Sequence, residues 1–188
     1  IGPDVIRQGT GEHQNPMDTR LRTKEEACYT IKMNRLALRF YPLLYPAVYY
    51  MLQKAEKSKL KNKEKQAALS HQLQTDVIPF GACLIFTPLF AEKEEKAFDP
   101  ETQFFYEEYI LALRCRRKNY KIVYDPSMTV YHESGAATKK SYSTEKKRIR
   151  FMLEKTAAAC GVYLEMLGER SKILSFIDEY DKLTTKLA

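Results

Sequence analysis

The chain has 188 residues, enough for one domain or one large piece of a bigger one, and an apolar share of 44% with 13 Tyr and 9 Phe can fill a packed core. A charged share of 29% keeps the surface soluble, and the longest nearly uncharged stretch, Phe40 to Leu52, contains Pro42 and Pro46 and is too short to cross a bilayer of roughly 30 Å. That stretch therefore does not read as a membrane-spanning helix, and the amino end shows no secretory pattern. The chain opens on Ile1-Gly2-Pro3 rather than a methionine, which predicts that its start is missing.

In chain order, residues 1 to 23 carry Gly2, Pro3, Gly9, Gly11, Asn15 and Pro16 and read as loops joined to a short strand around Val5-Ile6. From Lys24 the pattern turns helical. Leu36, Leu38, Phe40, Leu43, Tyr45, Val48, Tyr49 and Leu52 give wide apolar coverage, and Pro42 and Pro46 predict a kink or split. A charged helix or loop follows from Lys54 to Leu73. The apolar run Gly81-Ala82-Cys83-Leu84-Ile85-Phe86 reads as a strand, Glu107-Glu108 as the head of a helix, and Lys121 to Tyr124 and Met128 to Tyr131 as two strands broken at Asp125-Pro126 and closed by His132. After a polar loop, Thr144 is a candidate N-cap for a helix bearing Ile149, Met152 and Leu153, with Gly161 breaking or bending it. A last amphipathic helix is expected from Val162 to Leu187, weakened by Gly168.

The excess positive charge sits mostly in two blocks, Lys54 to Lys65 and Lys139 to Arg150. The ordinary reading is two solvated helix faces; the functional one is attraction to anionic lipid headgroups or phosphorylated ligands. Nucleic acid is disfavoured, because Glu56, Glu64 and Glu145 interrupt the blocks and no aromatics are interleaved for base stacking. Cys28, Cys83, Cys115 and Cys160 are widely spaced without a Cys-x-x-Cys pair, which predicts reduced thiols in a cytoplasmic protein.

Two carboxylates at a helix start have an electrostatic explanation, since they favour the positive end of the helix by about 0.3–1 kcal/mol. Their functional explanation is general-base chemistry on a hydroxyl. Glu108 shares a side with Leu111 and Cys115 and is the candidate base, whereas Glu107 lies nearer Arg114 and is held by charge. A lone histidine is ordinarily structural, but His132 ends a strand, where α/β proteins open onto ligand crevices. His13 and His71 stand in polar surroundings and gain no such standing. Gly81-Ala82-Cys83 is either a tightly packed strand start or room left for a ligand.

The ordered set Gly81-Ala82-Cys83, Phe98-Asp99, Phe104-Phe105-Tyr106-Glu107-Glu108, Leu111-Ala112-Leu113-Arg114, Asn119-Tyr120-Lys121-Ile122, Val130-Tyr131-His132 and Gly135-Ala136 resembles the carboxyl-terminal half of glycosyltransferase family 2, particularly bacterial rhamnosyltransferase-like enzymes of cell-surface polysaccharides. The resemblance implies an α/β fold: the carboxyl-terminal part of an A-type glycosyltransferase fold, a mixed sheet with flanking helices, followed by carboxyl-terminal helices. It divides the chain into an acceptor-side part, residues 1–138, lacking the nucleotide-binding half, and a helical extension, residues 139–188.

The implied reaction is inverting transfer from a nucleotide-sugar donor to a saccharide or lipid-linked acceptor, in a cytoplasmic enzyme at the inner face of the cell membrane. Carried over, Glu108 matches the catalytic base with Glu107 beside it, Gly81, Ala82, Cys83 and Arg114 bind the acceptor, and His132 ligates a divalent cation, Mg or Mn. Two departures stand out. Glu108 replaces the usual Asp, and Ile110 occupies a position that is acidic in many members. The family's Asp-x-Asp does not occur in this sequence, so the chain alone is expected to be inactive and the cation to need that missing segment. The terminal helices are expected to meet a membrane surface or another copy of the chain. The alternative is a non-catalytic basic helical module that binds a membrane surface or an acidic partner.

Overall fold

A computed structural model describes residues 1–61, 71–102, 104–133 and 141–168. Expectations that fall on 62–70, 134–140 and 169–188, including Gly135-Ala136 and the last helix beyond Gly168, lie outside the described residues. A four-stranded mixed sheet is flanked by helices, in the strand order β2-β1-β4-β3. Strand β1 (Gly2–Arg7) pairs antiparallel with β2 (Glu12–His13) and parallel with β4 (Val123–His132), and β4 pairs antiparallel with β3 (Gln74–Thr75).

The two strands expected around Asp125-Pro126 form one strand with an irregularity. The register with β1 jumps from Pro3↔Asp125 to Asp4↔Thr129, leaving Pro126 to Met128 without a partner on β1. A proline has no N–H to give a ladder, so it is tolerated where the ladder is interrupted. The run Gly81 to Phe86 is turn and extended coil rather than a strand. Both neighbours of β1 are already in place, and the run joins the sheet at Ile85, whose N–H donates to the Ile1 carbonyl at 2.9 Å.

Helix α1 (Lys24–Arg39) starts in a capping box: Thr23 accepts from the Glu26 N–H at 3.3 Å, and the Glu26 carboxylate accepts from the Thr23 N–H at 2.8 Å. The split expected near Pro42 occurs at Phe40, and α2 (Tyr41–Lys61) begins at the next residue. Pro42 has no N–H for the Leu38 carbonyl, and its ring would collide there, so α1 ends first. Pro46 lies inside α2. A short α3 (Pro88–Lys93) precedes α4 (Glu107–Arg117). Helix α5 (Glu145–Met166) is capped by Thr144, as the sequence predicts, and runs straight through Gly161. It stops at Gly168, whose φ of +87° suits the left-handed residue that closes a helix. Gly168 therefore closes α5.

The main core joins Ala27 and Ile31 of α1 with Ile78 of the segment after β3, with Tyr109, Ile110, Ala112 and Leu113 of α4, and with Cys160, Tyr163 and Leu164 of α5. Residues 145–166 of the expected extension thus pack into the same core as α1 and α4. A second cluster sets Tyr41 of α2 against Ile149 and Leu153 of α5. Cys28, Cys83, Cys115 and Cys160 form no disulfide.

Candidate active site

Helix α4 is entered through an unusual turn. Phe104, Phe105 and Tyr106 have φ of +60°, +65° and +62°, a left-handed run that costs about 1–2 kcal/mol per L-residue. Aromatic packing offsets it. Phe104 meets Phe151 of α5 edge-on at 6.0 Å, and Tyr106 lies 5.0 Å from Tyr109 and 5.7 Å from Tyr163. The Tyr106 hydroxyl, bonded to Thr30 and Cys160, is buried enough to push its pKa well above the usual range.

This turn delivers Glu107 and Glu108 to the start of α4. Leu111 and Cys115, the neighbours expected for Glu108, are buried, and Glu108 itself is only 9% exposed. Its Oε1 accepts a hydrogen bond from the Gly81 N–H at 3.2 Å. Burial raises the pKa of Glu108, and the charge of Glu107 adds to it, against the hydrogen bonds from its own N–H and that of Gly81. One oxygen of the carboxyl group is therefore packed against backbone. Gly81 answers the two readings of its small size: a Cβ there would stand 2.6 Å from Oε1 of Glu108, so the space is filled by that carboxylate. Ala82 is exposed, and Cys83 is half-buried.

Glu107 is half-buried, which raises its pKa, while its carboxylate accepts from the Phe104 N–H. It is not held by Arg114. The Arg114 guanidinium donates to the carbonyls of Lys96 (2.9 Å) and Ala97 (3.1 Å) and to Glu94 (3.1 Å), fastening the segment after α3 onto α4. Those donors face the protein's own loop, which makes Arg114 a structural clasp here rather than an acceptor contact. Glu94, which sequence reasoning overlooked, also binds Lys118 at 2.7 Å and the Tyr120 hydroxyl at 3.1 Å. The Lys118 bond leads in lowering its pKa.

His132 ends β4 opposite Arg7, and its carbonyl accepts from the Gln8 N–H at 2.9 Å. Its half-buried ring meets Phe80 edge-on, with centroids 5.8 Å apart. Phe80 precedes Gly81, so His132 and Glu108 contact two consecutive residues of one segment. Asn15, 1% exposed, fixes that segment to the sheet: its amide donates to the Pro3 carbonyl at 2.7 Å and its Oδ1 accepts from the Phe80 N–H at 3.1 Å.

Among the described residues no group of three His, Cys, Asp or Glu side chains could hold a metal ion. Among the described residues no carboxylates join His132 in a ligand set, in keeping with a cation that needs the Asp-x-Asp absent from this sequence, and no step is routed through one.

A second polar cluster went unrecognised in the sequence. Asp4, 5% exposed in β1, pairs through both oxygens with His13 Nδ1 at 2.9 Å and hydrogen-bonds the fully buried Tyr124 hydroxyl. The His13 ring meets His71 at 5.8 Å. The available signal was Asp4 itself, an acid set between Gly2-Pro3 and Val5-Ile6. Burial, with Asp4's charge behind it, pushes the Tyr124 pKa upward.

Comparison of the chain with protein-family models, curated proteins and solved structures finds no match in any of the three.

Proposed function

We propose that the chain is the acceptor-binding and catalytic-base portion of an inverting glycosyltransferase of family 2, moving a sugar from a nucleotide-sugar donor to a cell-surface saccharide or glycolipid. One observation carries the reading: Glu108, with a raised pKa, starts a helix and rests on Gly81, next to the residue that His132 contacts. The ordered motifs Gly81-Ala82-Cys83, Glu107-Glu108 and Tyr131-His132 thus meet around one short segment. A carboxyl group lifted toward neutrality suits proton transfer near physiological pH.

In the proposed step an acceptor hydroxyl oxygen attacks the anomeric carbon of the donor. Its proton passes to Glu108 as the new C–O bond forms, and the nucleotide diphosphate departs with the electrons of the old bond. Glu107, bonded to the Phe104 N–H, helps hold the Glu108 proton through its charge. Arg114 serves by anchoring the 94–97 loop, and His132 by packing on Phe80.

The test uses the full-length protein with its donor half. Glu108→Gln preserves an acceptor for Gly81 and should lower transfer by about 10²–10⁴-fold with unchanged circular dichroism. Transfer near the wild-type rate in that variant rejects Glu108 as the base.

A further inference from the structure

Over residues 41–53, helix α2 is apolar on both of its sides. Tyr41, Tyr45, Val48 and Leu52 recur at helical spacing and pack with Ile149 and Leu153 of α5. The opposite side presents Leu43, Tyr50 and Met51, which are 80%, 68% and 62% exposed, with Pro46 and Ala47 also exposed. A surface helix that buries one apolar stripe ordinarily turns a charged one to water. Here no charged residue occurs from Tyr41 to Gln53.

Cations border this face. Lys54 is exposed at the next position of the Leu43, Ala47, Tyr50 stripe. Arg39, itself exposed, lies over the partly exposed Phe40 ring at 6.0 Å. The acids nearby on α5 are engaged with arginines, Glu145 with Arg148 and Glu154 with Arg150.

We propose that the outward face of α2 lies in the plane of an anionic lipid bilayer, with Leu43, Tyr50 and Met51 entering the headgroup boundary and Arg39 and Lys54 meeting lipid phosphates. An apolar helix face bordered by basic residues is the arrangement that binds such interfaces, and tyrosine suits a position with one end apolar and the other wet. Among the described residues no helix is long and apolar enough to cross a membrane, so the contact is with the surface. Charge selects a bilayer over a second copy of the chain: a self-facing pair would bring Arg39 and Lys54 of one copy against the same cations of the other. The inference is independent of the proposed transferase reading.

Sedimentation of the full chain with vesicles tests it. Binding is expected to mixed phosphatidylcholine and phosphatidylglycerol vesicles, to weaken with salt, and to be far weaker on pure phosphatidylcholine. The double variant Leu43→Glu, Tyr50→Glu should lose at least about tenfold in affinity, and Lys54→Ala about fivefold. Tyr29→Glu, at a 65% exposed site on α1, should bind as the wild type does. Melting curves confirm that each variant folds, and Met51→Gln supplies a milder change should the double variant unfold. No vesicle binding, binding undiminished by substitutions on this face, or a dimer in sedimentation velocity that the same substitutions dissolve, overturns the proposal.

Discussion

The Glu108 carboxylate occupies the space that a side chain on residue 81 would need: Oε1 sits 3.2 Å from the Gly81 nitrogen and 2.6 Å from where a Cβ would be. Packing of one residue is thus conditional on the smallness of another 27 positions earlier.

Gly81→Ala should therefore push the carboxylate off the Gly81 N–H and destabilise the fold by about 1–3 kcal/mol. The check is a double-mutant cycle in urea with Glu108→Ala. In that background the added methyl meets no carboxylate, so the cost should shrink by 0.5 kcal/mol or more, roughly the lower end of couplings between touching residues. Strictly additive effects would show that the two do not interact.

Glu108 also gives stability a pH signature. Burial raises its pKa in the folded state. Below the unfolded-state value both states are protonated and the residue costs nothing; as pH rises through the folded value, the buried carboxyl resists ionising and folded stability falls. Glu108→Gln removes the titration, so its melting temperature should exceed that of wild type at neutral pH, with the difference closing toward acid. Thermal denaturation across the pH range reads this directly. A difference that widens toward acid would contradict a buried, reluctant acid.

Arg114→Ala should cost about 1–3 kcal/mol, because two loop carbonyls and the Glu94 carboxylate lose a shared donor. Amide hydrogen exchange should rise around residues 94–97 and not in β1. Arg114→Lys should recover only part of the loss, since an ammonium cannot reproduce the guanidinium fork.

Thr23→Ala removes half of the capping box that starts α1 and should cost about 1 kcal/mol, read from the urea midpoint. Thr23→Ser should restore most of it, because the hydroxyl is what accepts the Glu26 N–H.

Local chemistry was legible in the sequence where it decides the outcome. Thr144 announces its helix through a hydroxyl three residues from the N–H it accepts, and Glu107-Glu108 announce theirs through the charge preference of a helix start. Long-range pairing was not. Gly81 to Phe86 has the composition of a strand, but β1 had taken its neighbours from elsewhere in the chain. Arg114 reads as a neighbour of Glu107 until a loop 17 residues earlier brings a carbonyl to it. The left-handed run at Phe104 to Tyr106 opposes the intrinsic preference of all three residues, and rings of α4 and α5 together with the Tyr106 hydroxyl's bonds to Thr30 and Cys160 hold it. Asp4 and His13 meet because β2 folds back on β1, a juxtaposition no spacing rule encodes.

The parallel pairing of β1 with β4 carries a consequence for biosynthesis. Gly2 faces Tyr124 and Arg7 faces His132, so the sheet's central seam joins segments roughly 120 residues apart along the chain. A ribosome will have released the first strand long before its partner exists. Until residue 132 emerges, the nascent Gly2–Arg7 segment has an unsatisfied edge, a period in which chaperones would be expected to engage it.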